Sequence, residues 1–439
     1  MEQLWKGETE KAVRNFPISG ERVPLGVVRM LARVKAEAAR VNAELGDLDA
    51  DRAGRIAAAA EAVAAGEHDD QFPIDVFQTG SGTSTNMNVN EVVASLAGAD
   101  VHPNDHVNMG QSSNDVFPTA VHLAALAALT GELLPALEGL HRSLAAKATE
   151  FAEVVKPGRT HLMDAVPVTL GQEFAGYAAQ VREGADRVTA TLPRLGKLPL
   201  GGTAVGTGLN AHPRFAAMVR ERVAAATGLT LAPPAHPFEA QGARDALVEA
   251  SGALKTVAVS CTKIANDVRW MGSGPRAGLT EIFLPELQKG SSIMPGKVNP
   301  VMCEVLAQVS AQVIGNDAAI TVGGLSGAFE LNVYIPLMAR NLLQSASYLA
   351  AACRQFAARC VDGIEANRER ARALVESTLV TVTALNPVVG YDEAAAIAKE
   401  AASSGRSLRE VALSRGVAAE VLDKVLDLRE MARGNGFAG

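Results

Sequence analysis

Apolar positions along this chain recur with a helical period over long stretches. Across residues 118–155, Val121, Leu126, Leu129, Leu133, Leu137, Leu140 and Leu144 keep an i, i+3/i+4 spacing, which predicts one long helix, bent at Pro135. Comparable runs occupy 170–191, 240–271, 300–319 and 335–366, and five such helices bury their stripes by packing as an elongated bundle. Residues 247–254 and 305–313 carry apolar or small side chains on more than one face, so association with further copies is expected. Strand signals are scarce, and the expected fold class is all-α. Three segments follow: a mostly helical N-terminal domain over 1–110, the bundle over 111–368, and a small helical C-terminal domain over 369–439, whose last residues from Arg433 are expected to fray.

Composition narrows the function classes. The 439 residues, 48% apolar and 20% charged, can build large cores without disulfides or metals as staples. With 41 Lys and Arg against 48 Asp and Glu, no basic run and only 4% aromatics, the chain lacks the cationic stripe and stacking surface that nucleic acids require. Cys261, Cys303, Cys353 and Cys360 show no CxxC spacing and fall in helical patterns, so they read as core thiols of a reducing compartment. The N-terminus has no apolar signal core, and charged residues interrupt the apolar stretches before about 20 residues. The expectation is a cytoplasmic protein without a membrane span.

The chemistry concentrates in donor-rich loops. Thr79-Gly-Ser-Gly-Thr83-Ser-Thr-Asn-Met-Asn-Val-Asn90, Gln111-Ser-Ser-Asn114-Asp-Val-Phe-Pro118 and Gly290-Ser-Ser-Ile-Met-Pro-Gly-Lys297-Val-Asn299-Pro300 each run into an expected helix N-terminus, where free N–H groups and the dipole favour anions. Asn299 and Pro300 read as N-cap and first helical residue, and residues 113–115 ahead of Pro118 as a second cap. Any one loop alone reads as a cap; three together point to a ligand with several carboxylates. In the third loop, Gly290, Gly296 and the prolines let backbone N–H groups converge on Ser291, and these donors with Lys297 would stabilise a serine alkoxide. A fourth loop, Lys156-Pro-Gly-Arg-Thr160-His161-Leu-Met-Asp-Ala-Val-Pro167, carries a histidine between bundle helices, with Glu304 as a candidate carboxylate to orient it. The remaining histidines outside 102–106 default to core or surface roles.

Two look-alikes are discounted. Gly201-Gly-Thr-Ala-Val-Gly-Thr-Gly208 opens no βαβ unit, and Ser260-Cys-Thr-Lys263 lacks the companion motifs of an SxxK hydrolase. No Walker loop or HExxH pair occurs, so neither a metal nor any other cofactor is expected.

The segment Gly290-Ser-Ser-Ile-Met-Pro-Gly-Lys-Val-Asn-Pro300 resembles the signature of the fumarase/aspartase superfamily, and the chain is most similar to its class II fumarases. The likeness runs through Asn15-Phe-Pro-Ile-Ser19, residues 78–91, His102-Pro-Asn-Asp-His-Val-Asn108, Ser112-Ser-Asn-Asp-Val-Phe-Pro118, Gly158-Arg-Thr-His161, Glu330-Leu-Asn-Val-Tyr334, Met338-Ala-Arg-Asn341 and Ala384-Leu-Asn-Pro387. The resemblance implies a homotetramer with a twenty-helix core and active sites built from three subunits. It also implies reversible anti addition of water to fumarate, giving L-malate through an aci-carboxylate. Ser291 would be the base, Lys297 and Asn299 would hold the aci-carboxylate, and His161, paired with Glu304 and working through a water, would protonate the departing hydroxyl. Ser81, Gly82, Thr83, Ser112, Ser113, Asn114, Thr160, Ser292 and Val298 would complete the substrate site. His102, Pro103, Asn104 and Asp105 match a second dicarboxylate site.

The chain departs from the family pattern in three places. It starts at Leu4-Trp5 where relatives have a longer leader, with Lys6-Gly-Glu8 for the usual Gly-Ala-Gln; residues 95–101 are shorter and end without a basic residue, which weakens the second site; and Gly110 stands where serine is common. The competing readings are a sister lyase that expels an amine from an aspartate-like substrate, and a non-catalytic structural protein on the same scaffold.

Overall fold

The structure, a computed structural model, describes residues 3–433. The expected fraying after Arg433 falls outside the described residues. The chain opens with α1 (Gly7–Asn15), α2 (Leu25–Leu45), α3 (Ala50–Ala65) and α4 (Thr83–Ala97), then enters α5 (Ser113–Ala128) and α6 (Leu134–Glu150). A hairpin of β1 (Val155–Thr160) and β2 (Met163–Thr169) leads into α7 (Leu170–Leu195), α8 (Phe215–Thr227), α9 (Pro237–Gly242), α10 (Asp245–Met271), α11 (Val301–Leu325) and α12 (Ile335–Arg359). Short helices follow to Arg433, among them α13 (Arg368–Ser377), α14 (Tyr391–Ser404) and α15 (Leu408–Ser414). The other strands are two-residue pieces, Ile282–Phe283 with Glu365–Ala366 and Gly327–Ala328 with Leu331–Asn332.

All five periodic runs are helices, with shifted ends. The first starts at Ser113, five residues before Pro118, and α11 reaches Leu325 rather than residue 319. The disturbance expected at Pro135 falls one turn earlier, as a π-helical turn over Leu129–Leu133. Proline has no N–H and its ring collides with the carbonyl four residues back, so widening the preceding turn lets the helix continue. This run, Ser113–Glu150, is long and apolar enough to cross a membrane by length and composition, yet 61% of its most apolar window is buried inside the protein.

The chain forms two compact units, Met1–Ala136 with Gly184–Val259 and Val309–Ala351, and Leu137–Glu183 with Ser260–Gln308 and Ala352–Gly439. In the first unit, α2 is buried on nearly every side, with Val27, Val28, Leu31, Val34 and Val41 all at 0% exposure, against α3, α4, α5 and α8. In the second, Phe151, Phe174 and Tyr177 stack edge to face at 5.5 and 5.6 Å. The four cysteines are free and buried, with Cys261 Sγ 3.9 Å from Cys353 Sγ. The C-terminal helices close their own cluster around Leu385, Ile397, Val411 and Leu422.

Two glycines fix the entry to α4. A Cβ on Gly80 would stand 1.7 Å from the Val333 carbonyl oxygen, and one on Gly82, whose φ is +78°, would stand 2.1 Å from the Phe117 ring. A Gly82→Ala substitution is therefore expected to cost about 2–4 kcal/mol through left-handed strain and overpacking. Chemical denaturation measures this, and an unchanged midpoint would contradict the packing described.

Candidate active site

Three of the donor-rich loops do end at helix N-termini. Gly82 caps α4, and the Ser81 and Thr83 hydroxyls lie 2.7 Å apart at its mouth. The cap of α5 is Ser112, one residue earlier than the stretch expected, in a capping box with Asp115. The Ser112 Oγ accepts the Asn114 N–H, leaving Ser112, Ser113 and Asn114 half-buried at the helix start. Asn86 of α4 ties the two mouths together by donating to Ser113 Oγ at 3.0 Å.

Beneath this pair lies a polar layer that sequence reasoning missed. Asp115 is fully buried and accepts the N–H groups of Ser112 at 2.9 Å and of Gly201 and Thr203 at 3.0 Å each. The glycine-rich stretch 201–208 thus has a use that is not nucleotide binding: it wraps the Asp115 carboxylate, and Ala204 accepts the Asn114 side-chain amide at 2.9 Å. Burial raises the Asp115 pKa to about 6, against the pull of these N–H groups. Lys35 of α2, at 0% exposure, reaches the side-chain oxygens of Asn108 at 3.3 Å and Gln111 at 3.2 Å. One signal was available: Lys35 lies on the apolar stripe of α2, four residues from Leu31 and Ala39, where a charge needs a reason.

The third loop is a closed ring. The Gly290 N–H donates to the Lys297 carbonyl at 2.9 Å, Asn299 Nδ2 donates to the Gly290 carbonyl at 2.6 Å, and a Cβ on Gly290 would meet the Lys297 oxygen at 2.0 Å. Within the ring, Ser291 Oγ accepts the N–H groups of Ile293 at 3.2 Å and Met294 at 3.1 Å. The helix cap sits one residue later than expected: Pro300 accepts the first helical bond, from Glu304, because the Asn299 amide is spent on the loop. Ser292, Lys297 and Val298 stand exposed around this ring.

The fourth loop is not a loop but the β1–β2 hairpin, with a register shift at Pro157 and Gly158. His161 and Leu162 form its two-residue turn at φ 56° and 61°, the left-handed conformation that ordinarily selects Asn-Gly. Thr160 and His161 are exposed at the tip, and His161 makes no ion pair with Glu304 within the chain, among the described residues. Both residues are exposed, so the pairing expected between them is not made within the chain.

The hairpin is anchored at its base. Arg159 clasps the completely buried Glu281 with two hydrogen bonds of 2.7 and 3.0 Å, and the buried Lys156 lies 3.4 Å from Glu281 and 2.8 Å from Glu173. Burial raises the Glu173 pKa. Lys156, Arg159, Leu162 and Glu173 line a cavity of about 670 Å³ with Tyr177, Asp267 and Trp270, and Ser291, Lys297 and Asn299 do not line it.

The stretch expected to form a second dicarboxylate site is an exposed cap, His102, leading into a π-helical turn over Pro103–Val107. His102 Nδ1 accepts the Asp105 N–H at 3.1 Å, with the Asp105 carboxylate 3.2 Å away, and Asn104 is exposed beside Pro103. The two nearby arginines, Arg52 and Arg55, are engaged by Asp100. Of the histidines expected to be structural, His122 is buried on the Leu195 carbonyl at 2.9 Å, with burial pushing its pKa down to about 4.

Replacing Glu281 by Gln leaves Arg159 and Lys156 beside a neutral amide. Glu281→Gln is expected to destabilise the protein by about 3–5 kcal/mol, the range for breaking a buried ion pair. Urea denaturation reads the loss, and an unchanged stability would show that the hairpin anchor is dispensable.

Comparison with known proteins gives the family and the fold. The lyase family matches residues 1–315, and the fumarase C C-terminus family matches residues 381–433. Fumarate hydratase class II of Mycobacterium tuberculosis is 59% identical, covering 98% of this chain and 93% of the relative; that of Corynebacterium glutamicum is 57% identical with the same coverage. Among solved structures, recombinant class II fumarase from Schistosoma mansoni superposes with a TM-score of 0.96 at 38% identity, covering 98% of this chain and 96% of that one. The fumarate lyase:delta crystallin from Brucella melitensis bound to cobalt gives 0.95 at 45%, with the same coverage. The all-α lyase scaffold, the donor loops at its helix mouths and these likenesses across nearly the full chain place this protein in the class II fumarate hydratase family.

Proposed function

We propose that the protein is a hydro-lyase that interconverts fumarate and L-malate. The observation that carries this reading is the ring around Ser291, where two backbone N–H groups already point at the oxygen that would become the alkoxide. Such donors stabilise negative charge as it forms and need no reorganisation to do so. Ser291 takes the C3 proton of malate, and the electron pair moves into the adjacent carboxylate, giving an aci-carboxylate dianion held by Lys297 and Asn299. The C2–OH bond then breaks as His161, through a water, protonates the leaving hydroxyl. Microscopic reversal adds water to fumarate. Thr83, Ser112, Ser113, Asn114 and Thr160 grip the carboxylates, with Ser81, Gly82, Ser292 and Val298 shaping the walls.

An assembly follows from what the chain leaves uncovered. Helix α11 exposes Val305, Ile314, Val322 and Leu325 at 39%, 41%, 56% and 80%, the hairpin exposes Leu162 and Met163 at 73% and 69%, and Phe329 stands 94% exposed. Surfaces of this kind are interfaces. We place α11 in the core of a homotetramer in which a second copy supplies the missing partner of His161. The free, buried cysteines suit the cytoplasm, where we locate the enzyme.

Three variants test the assignments. Ser291→Ala is expected to abolish formation of fumarate from L-malate while the tetramer survives, and His161→Asn to lower kcat by about 10²–10⁴-fold, the usual worth of general acid–base catalysis. A Ser291→Ala enzyme with near-normal turnover removes the proposed base. Val322→Asp is expected to break the assembly; light scattering that still reports a tetramer would contradict the placement of α11.

A further inference from the structure

Lys35 is an unusual residue to find at 0% exposure. Among the described residues no carboxylate pairs with it, and its amine touches two neutral amide oxygens, Asn108 Oδ1 and Gln111 Oε1. Asn108 Oδ1 also accepts Asn86 Nδ2 at 3.1 Å and Asn90 Nδ2 at 3.2 Å, and the same Asn86 amide donates to Ser113 Oγ. The amine is therefore joined to the mouth of α5 through Asn108 and Asn86. The side-chain oxygens of Asn86 and Asn90 are buried and carry no hydrogen-bond partner among the described residues. A cluster with surplus acceptors and one buried amine is built to hold a cation, yet the protein alone supplies little negative charge to balance it.

The charges that reach this amine are few. From α5, Asp115 alone acts on it; α4 faces the cluster with Asn86 and Asn90, and the turn before α5 with Asn108 and Gln111. Neither α3 nor α8, which also pack on α2, brings it a charge among the described residues, and its neighbours one turn away on α2 are Leu31 and Ala39. Asp115 is itself committed to three backbone N–H groups.

We propose that Lys35 is the buried counter-charge of the substrate carboxylate seated at Ser112, Ser113 and Asn114, and that binding of a dicarboxylate there draws a solvent proton onto its amine. This inference rests on the dicarboxylate reading of the site. The balance is one proton: the neutral amine accepts it from solvent to become an ammonium ion as the ligand's negative charge arrives. Burial prepares the group for this, since it pushes the pKa of Lys35 down to about 7, with Asp115 opposing. An anion at the helix mouth raises that pKa, so above neutral pH the bound form holds more protons than the free form. Lys35 is thus a positioning and charge-balancing residue, which does not itself touch the reacting atoms.

The test is calorimetric titration of the intact wild-type protein with succinate, a saturated dicarboxylate that cannot be hydrated. It is run at about pH 8 in phosphate and in Tris, whose ionisation enthalpies differ, so that the difference in heat counts the protons taken up. The wild type is expected to take up about half a proton or more per succinate, the amount set by a pKa rising from just below the working pH. Lys35→Arg, charged at every accessible pH, is expected to bind succinate with uptake near zero. Lys35→Met is expected to lose both the uptake and about tenfold in affinity at about pH 6.5, where the native amine is already charged. A wild type that binds succinate without uptake, or uptake that persists in Lys35→Arg, overturns the proposal while leaving the dicarboxylate site standing. A wild type that does not bind succinate at all overturns both.

Discussion

A carboxylate taken out of water must be fully bonded or it will not stay charged, and this protein uses that constraint to hold its donor loops. Asp115 answers it with backbone N–H groups from Ser112, Gly201 and Thr203, which fasten the start of α5 to the glycine-rich loop. Glu281 answers it with Arg159 and Lys156, which fasten the root of the hairpin to the strand that follows α10. Near the N-terminus, Asp75 gathers Ser19 and Gly20, and Glu91 gathers Lys6, Glu8 and Thr9. In each case a buried or half-buried carboxylate ties together stretches of chain far apart in sequence.

The consequence is a division of labour between rigid roots and exposed tips. The roots are buried charges; the tips are the hydroxyls, amides and the imidazole proposed to meet substrate. His161 shows the cost, since it and Leu162 occupy a turn conformation that side chains resist. The Arg159–Glu281 clasp holds the strand two residues before this turn. The Ser291 ring follows the same logic with backbone alone, spending Gly290 and Asn299 on closure so that Ile293 and Met294 point at one oxygen. Catalysis by stabilising a developing charge requires this kind of preparation, because donors that must first turn toward the oxygen lose much of their advantage.

The sequence made the long helices legible because apolar stripes repeat locally, and it marked the donor loops because serine, asparagine and glycine gather at helix starts for reasons of capping. It concealed the hairpin. Pro157 and Gly158 read as turn residues, the register shift between them breaks the two-residue alternation, and His-Leu at the tip is not a hairpin turn's usual pair. It also concealed the roots, since Lys35 meets Asn108 and Gln111, Asp115 meets Gly201, and Arg159 meets Glu281 across large separations in the chain. The absence of a His161–Glu304 pair within one chain was equally invisible. Resemblance carried the roles of residues further than periodicity could; of the two runs that periodicity marked for association, 305–313 leaves Val305 exposed, whereas Leu247, Ala250 and Leu254 of 247–254 are covered within the chain.

The central claim is that these prepared donors act on a dicarboxylate that loses water. The most direct measurement is the rise in ultraviolet absorbance of fumarate when the purified protein meets L-malate, with L-aspartate in a parallel cuvette. The account predicts fumarate from L-malate and none from L-aspartate. Fumarate from L-aspartate alone would keep the scaffold and the base but contradict water as the leaving group.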